Sequence, residues 1–282
     1  MMTPAVSANE LDGEGVSADP DSTIACRLCE APAAATFTLR LIEKHVVTFY
    51  RCSGCGSLQS EEPYWLDEAY ANSNLARIDT GAAQRNLTNL SAVYTWARIS
   101  GTRTIFDFGG GDGLLCRLLR DYGLDARMED RYAVAGYAQG VPTERPRRPV
   151  LYTAFEVLEH FAHPQTDLEA LFAARPESLL VTTAFYEGQG PDWWYLAPAS
   201  GQHVFFYSKD AMRLIGKRFG YSVRFLGKYT LFDRVPRNAA TKALTGSMLN
   251  IVGIRAIRTL LMLLPATGAA RDFKRLTDEK SP

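Results

Sequence analysis

The stretch Ile105–Leu119, IFDFGGGDGLLCRLL, constrains this chain more than any other. A short apolar run ends in Asp107 and Phe108, a turn follows through Gly109, Gly110, Gly111 and Gly113, and a helical pattern starts at Leu114. That succession predicts a buried strand, a tight turn and a helix N-terminus. Glycines in such a turn let the backbone approach a ligand with no Cβ in the way. The crevice beyond the strands' carboxyl ends is where open α/β sheets hold their cofactors. The spacing Asp-x-Gly-x-Gly-x-Gly is not the G-x-G-x-x-G of dinucleotide sites, and it lacks the Gly-Lys-Ser/Thr of a phosphate loop.

Around this stretch the patterns alternate between strand and helix, as a parallel sheet requires. Helices are expected over Ala82–Ile99, Leu114–Tyr122 and Lys209–Phe219. Strands are expected over Ala126–Glu129, Leu151–Phe155 and Ser178–Thr183, with a closing pair near Val223–Leu226 and Thr230–Asp233. Residues 131–149 are rich in Gly, Pro and Arg, so a strand there would be short. Asp130 ends the second strand, about 20 residues after the glycine turn, where an acid can accept hydrogen bonds from ribose hydroxyls. Glu129 is the second choice, because the register could slip by one.

Ahead of this region lie Cys26-Arg-Leu-Cys29 and Cys52-Ser-Gly-Cys55, separated by two alternating runs, Ala35–Leu41 and Val46–Arg51, that read as a hairpin turning near Glu43-Lys44. Two C-x-x-C knuckles at this separation can supply four thiolates to a structural zinc. A closed four-thiolate site has no open coordination position, so its expected role is folding or partner contact. No basic and apolar leader is visible at the N-terminus, and the expected setting is a reducing cytoplasm, where paired cysteines more often mean metal than disulfide. Cys116, on the apolar face of the first helix, is expected to be a small buried hydrophobe.

Charge is unevenly spread. The chain is neutral overall, which argues against a general nucleic-acid coat. Residues 1–23 carry five acids and no Lys or Arg, and read as a disordered tail. From Arg234 onward nine Lys/Arg face three Asp/Glu, a balance of +6. Leu244–Leu264 is apolar but contains Arg255 and Arg258, which argue against a membrane span. With Lys242, Arg271, Lys274 and Arg275 beside it, this segment is compatible with an interfacial helix on anionic lipid. The alternative is a helix packed on the domain or on a second subunit.

Three stretches, FDFGGGDG (106–113), MEDRY (128–132) and AFEVLEHFAHP (154–164), together resemble the class I S-adenosylmethionine-dependent methyltransferases over residues 80–235. The resemblance implies an α/β, Rossmann-like, seven-stranded sheet ending in an antiparallel hairpin, and S-adenosylmethionine as cofactor. It places Asp107, Gly109, Gly110 and Gly111 along the methionine moiety, Asp130 on the ribose, and the Ala154-Phe155-Glu156 turn beside the sulfonium. The cysteine ribbon and the Gly201–Phe206 segment (GQHVFF) are similar, more loosely, to bacterial methyltransferases acting on sugars or secondary metabolites.

Methyl transfer needs alignment of sulfur, methyl and nucleophile, and exclusion of water. A hydroxyl acceptor also needs a base or a metal. Glu156, Glu159 and His160 stand at i, i+3 and i+4, so on a helix they share one face. His203 is expected at the sheet's substrate edge. Two carboxylates and two imidazoles make a plausible divalent-cation site. This E-x-x-E-H…H arrangement resembles the metal site of small-RNA 2′-O-methyltransferases and ubiquinone-pathway O-methyltransferases, in which the metal binds the acceptor's hydroxyls. The competing reading has Glu156 on the cofactor, Glu159 capping the sheet edge and the histidines bonding locally. Without metal, His203 or His160 is the candidate base. His163, before Pro164, reads as a helix boundary. Tyr64, Trp65 and Tyr70 either roof a pocket or pack one subdomain on another, and Trp193, Trp194, Tyr195, Phe205, Phe206 and Tyr207 either stack on an acceptor or serve the core.

The expected organisation is a tail over 1–23, a zinc ribbon over 24–60, a methyltransferase domain over 61–235 with lead-in helices over 61–100, and a basic amphipathic extension over 236–282. The expected activity is O-methylation of a small-molecule or carbohydrate acceptor, possible partners being a second copy and, through the extension, the inner membrane face. Alternatives are C- or N-methylation of a nucleotide sugar, RNA 2′-O-methylation, and an inactive zinc-ribbon interaction protein.

Overall fold

The computed structural model describes residues 22–71, 79–146 and 150–278. Residues 1–21 of the expected tail lie outside them, while Thr23 already belongs to a strand because it pairs with Ala34. In chain order the elements are β1 (Thr23–Ala25), β2 (Pro32–Leu41), β3 (His45–Cys52), β4 (Leu58–Ser60), α1 (Leu66–Ala71), α2 (Ala82–Ser100), β5 (Thr104–Phe108), α3 (Leu114–Asp121), β6 (Asp125–Glu129) and β7 (Leu151–Phe155). There follow α4 (Pro164–Phe172), β8 (Ser178–Thr182), β9 (Phe205–Phe206), α5 (Lys209–Phe219), β10 (Ser222–Leu226) and β11 (Tyr229–Asp233). Three further helices end the described chain: α6 (Ala239–Met248), α7 (Ile251–Met262) and α8 (Thr267–Asp278).

The larger sheet runs β10-β11-β8-β7-β5-β6, with β6, β5, β7 and β8 parallel and the final hairpin antiparallel. The chain steps from β5 to β6 on one side and returns to β7 on the other, so the strand order reverses at β5. That reversal opens the crevice in which such sheets bind ligands. Its edge is drawn by register: Phe108 faces Glu129, and Phe155 faces Thr182. The described residues give six strands where the resemblance implied seven. Residues 131–146, interrupted by Gly136, Gly140, Pro142 and Pro146, form no strand, and 147–149 lie outside the described residues.

Both faces of this sheet are covered, as parallel sheets require. Alternation along β5 sends Phe106 to one core, with Tyr152, Leu179 and α5, and Ile105 to the other, with α2, α3 and α7. The cysteine hairpin does not stand apart. It forms a second sheet, β1-β2-β3-β4-β9, whose last strand comes from the segment between β8 and α5: Leu58 pairs with Phe206 and Gln59 with Phe205. Cys26, Cys52 and Cys55 pack into the same core as Phe161, Phe205 and Met212.

The basic extension is three helices rather than one, because Asn250 interrupts the pattern and caps α7, its Oδ1 accepting from the Val252 and Gly253 amides. α8 lies backbone to backbone on α3. A Cβ on Gly268 would fall 1.8 Å from the Arg120 carbonyl oxygen. There Arg120 Nε and Nη2 donate to the two oxygens of Asp272 at 2.5 and 2.8 Å, with both residues buried. Removing one partner strands a buried charge. Asp272→Ala is therefore expected to destabilise the fold by about 3–5 kcal/mol, read as a lower midpoint in urea unfolding. An unchanged midpoint would show that α8 contributes nothing to the fold.

Candidate active site and a four-cysteine centre

The glycine turn stands at the carboxyl end of β5. The amides of Gly109 and Gly110 both donate to the Glu129 carbonyl, at 2.9 and 3.1 Å, which ties the turn to β6. Gly113 starts α3 in the left-handed region, at φ 85°, and a Cβ there would lie 2.6 Å from that of Ala138; both facts require glycine. Asp107 sits beneath the turn, buried, with its Oδ2 against Gly110. Its Oδ1 accepts from Thr153 Oγ1 at 2.6 Å, and burial pushes its carboxyl up to about 7. Thr153, a polar residue in an apolar strand, is the partner that sequence reasoning missed.

Asp130 touches the bend. Its Oδ2 accepts from the Gly111 amide at 2.9 Å, and its Oδ1 from the Tyr132 and Ala133 amides at 2.8 Å. Glu129 is occupied elsewhere, with Arg145 Nε donating to both its oxygens at 3.1 and 3.0 Å. Of the two acids weighed for a ribose, only Asp130 faces the turn. Phe155 packs edge-on against Tyr229, ring centroids 6.0 Å apart.

At the carboxyl end of β7 the backbone departs from expectation. Glu156 adopts a left-handed conformation, φ 54°, rather than opening a helix, and only a 3-10 turn over Leu158–His160 follows. Its amide donates to the Thr182 carbonyl at 3.0 Å, which pins this strained bend to β8. The predicted helical face of Glu156, Glu159 and His160 is therefore replaced by a bend, and the four-residue cluster becomes three. One oxygen of Glu159 and one nitrogen each of His160 and His203 lie within 4.8 Å of one another, without Glu156. Glu156 stays adjacent through Tyr195, whose hydroxyl lies 3.0 Å from Glu156 Oε2 and donates to Glu159 Oε1 at 2.6 Å.

Each member of the trio is oriented by a second partner. His203 Nδ1 donates to the Tyr195 carbonyl at 2.7 Å, and His160 Nδ1 meets the Tyr70 hydroxyl at 3.2 Å. The remaining oxygen of Glu159, Oε2, is buried with no hydrogen-bond partner. Burial, then the Glu156 charge, pushes Glu159 up to about 8. Burial, then His203, pushes His160 down to about 3, and burial also lowers His203. Both imidazoles are thus neutral at physiological pH and keep a lone pair. That is the form in which they act as ligands or bases.

The aromatic expectations divide. Tyr70 stacks on Tyr132, centroids 3.9 Å apart and 7° from parallel, and so roofs the space between the Asp130 loop and His160. Trp65 is core, its Nε1 donating to the Gly201 carbonyl. Phe205, Phe206 and Tyr207 are fully buried because β9 is paired with β4, so they offer no stacking surface; Trp194 alone of that group is exposed. Tyr64 is exposed and packs on His45 and Trp65. His163 begins α4 before Pro164, as read, and Cys116 is fully buried.

The four cysteines converge. Cys26 Sγ lies 3.7 Å from Cys55 Sγ and Cys29 Sγ 3.5 Å from Cys52 Sγ, far beyond a disulfide bond. A tetrahedron with sulfurs about 2.3 Å from its centre has edges of about 3.8 Å, so the thiols are consistent with a zinc site. The amides of Gly54 and Cys55 donate to Cys52 Sγ. The Cys26 thiol, bonding to Cys55, pushes Cys55 down to about 5 while Cys26 rises. Arg27, between the first two cysteines, reaches the other site: its Nη2 donates to the Val204 carbonyl at 2.7 Å, next to His203.

A family profile described as a methyltransferase domain matches residues 75–225, just over half of the chain. The chain belongs to that family and carries an S-adenosylmethionine-dependent methyltransferase domain. No curated protein matches it. Among solved structures it is similar to the methyltransferase domain of bacterial CtHen1, at 20% identity over 52% of this chain and 98% of that one, TM-score 0.41. It is also similar to an O-methyltransferase family protein from Burkholderia thailandensis, at 16% identity over 61% and 63%, TM-score 0.45. Magnesium protoporphyrin IX methyltransferase from Synechocystis PCC 6803 follows at 16% over 53% and 83%, TM-score 0.40.

Asp107 provides a test of the turn's foundation. Its carboxyl rises from 3.8 to about 7 on folding, so the folded state binds the extra proton in that interval. Its stabilising contribution is complete below the lower value and is lost as pH rises through the upper one. Relative to Asp107→Asn, the native chain is expected to lose up to about 4 kcal/mol between roughly pH 4 and pH 8, measured by urea unfolding. A difference independent of pH would mean that Asp107 is not buried under the turn.

Proposed function

We propose that the chain is a divalent-cation-assisted O-methyltransferase acting on a small-molecule or carbohydrate hydroxyl. The observation that carries this reading is that Glu159, whose buried Oε2 has no partner, offers an oxygen within 4.8 Å of a nitrogen of each of two neutral imidazoles. A buried carboxylate without a donor is costly, and among the described residues no Lys or Arg bonds to this one. A cation removes that cost and reverses the upward pKa push on the carboxyl. Glu159, His160 and His203 would hold it, with Tyr195 and Tyr70 fixing their orientations as outer partners.

When bound, the cation supplies positive charge that makes an acceptor hydroxyl easier to deprotonate. The protein's own part is positional. The Gly109–Gly113 turn and Asp130 receive the S-adenosylmethionine nucleoside, and the bend at Glu156 brings the trio to the same edge of the sheet. Tyr70 and Tyr132 keep water from the space between. Burial of the trio favours methyl transfer, because the cofactor's charge disappears as the bond forms. Cys26, Cys29, Cys52 and Cys55 would hold zinc in a closed, structural site. A small-molecule or carbohydrate acceptor is favoured over RNA by the chain's zero net charge.

Zinc-replete protein titrated with Mn2+, with free Mn2+ followed by electron paramagnetic resonance, is expected to bind one further ion. Glu159→Gln and His203→Ala should each weaken that binding by about 10–100-fold or more. Zinc content and S-adenosylhomocysteine affinity by calorimetry should stay unchanged. Failure of the native chain to take up Mn2+ would end the cation-assisted reading.

A further inference from the structure

The last two helices present an apolar surface that nothing among the described residues covers. Ile254 and Leu261 of α7 point into the core. On the outward side Val252 is 71% exposed, Leu263 just past the helix 78%, and Phe273 of α8 71%. Leu260 and Met262 add to the same ridge. This is a formed surface and not a frayed end: Asn250 caps α7, and Gly268 and Asp272 clamp α8 onto α3.

Cations border the ridge. Arg255, Arg271 and Lys274 are exposed on these helices; of the described acids there, Asp272 is buried against Arg120 and Asp278 is exposed at the end of α8. On the flank of α8 a cleft of about 350 Å³ is lined by Arg103, Arg120, Arg271 and Arg275 with two acids, Asp125 and Asp272. Large exposed apolar side chains bordered by Lys and Arg are what a helix lying in an anionic membrane surface presents.

We propose that α7 and α8 dock this protein on an anionic lipid surface, with Val252, Leu260, Leu263 and Phe273 inserted at the headgroup boundary. No single described helix is long and apolar enough to cross a bilayer. Together α7 and α8 have the length and composition for it, bent by 60°, but the clamp of Gly268 and Asp272 on α3 favours a pair lying along the surface. A second copy is the poorer occupant. A two-fold interface sets the same patch against itself, and this one would bring the cationic border of one copy, with Arg255, Arg271 and Lys274, against that of the other. Anionic headgroups instead gain about 1 kcal/mol for each such cation. The inference is independent of the reaction assigned to the site.

The test is co-sedimentation of the full chain with vesicles of phosphatidylcholine alone or of an equimolar mixture with phosphatidylglycerol, with S-adenosylhomocysteine affinity as a check on folding. Binding to the mixed vesicles only, reduced by salt, is expected. Arg255→Glu and Lys274→Glu should each weaken it by about fivefold or more, and Val252→Glu with Leu263→Glu should abolish it. Absence of binding, or equal binding to both vesicles, would overturn the proposal. So would a concentration-dependent dimer, seen by analytical ultracentrifugation, that Leu263→Glu dissolves; the ridge would then belong to a second copy.

Discussion

Val204 is held from both sides, and the rest of the arrangement depends on it. Its amide donates to the Glu159 carbonyl at 2.8 Å, and its carbonyl accepts from Arg27 of the first cysteine knuckle. One residue before it is His203, and one residue after it begins β9, which completes the cysteine-bearing sheet. The ribbon and the Glu159–His160–His203 cluster are thus two ends of one hydrogen-bonded path. Gln59, fully buried, extends that path by accepting from the Arg27 amide and donating to the Ala25 carbonyl. A side chain that must be placed to within a fraction of an ångström needs such outer support. Here a knuckle distant in sequence supplies it.

The electrostatic design follows from burial. Asp107 and Glu159 are both carboxyls taken out of water, and each is pushed towards its neutral form. Asp107 is compensated by the Thr153 hydroxyl. Glu159 is compensated on one oxygen only, by Tyr195. The difference between the two is the physical basis for giving one a supporting role and the other a ligand role. Tyr195 links both carboxylates at the site while its carbonyl holds His203, so one residue sets three of the relevant positions.

Much of the fold was legible in the chain. Periodicity located the strands flanking the glycine turn, the helices on either side and the closing hairpin, because parallel strands buried on both faces read as plain apolar runs. The cysteine tetrad followed from spacing. What was not legible came from tertiary contacts. Nothing local in GQHVFF announces that Phe205 and Phe206 pair with β4. The i, i+3, i+4 reading of Glu156, Glu159 and His160 presumed a helix, yet β8 captures the Glu156 amide and forces a left-handed bend that three-residue arithmetic cannot foresee. The Tyr70–Tyr132 stack joins a residue of α1 to one in the loop after β6, which no spacing rule connects.

The central claim is that Glu159, His160 and His203 converge to hold a cation beside the methyl-donor crevice. Crystals grown with S-adenosylhomocysteine and Mn2+, with diffraction recorded at the manganese absorption edge, test it directly. The account predicts an anomalous peak within bonding distance of Glu159 Oε2 and one nitrogen of each histidine. Manganese signal absent from that position, with Glu159 Oε2 bonded instead to a protein donor, would contradict it.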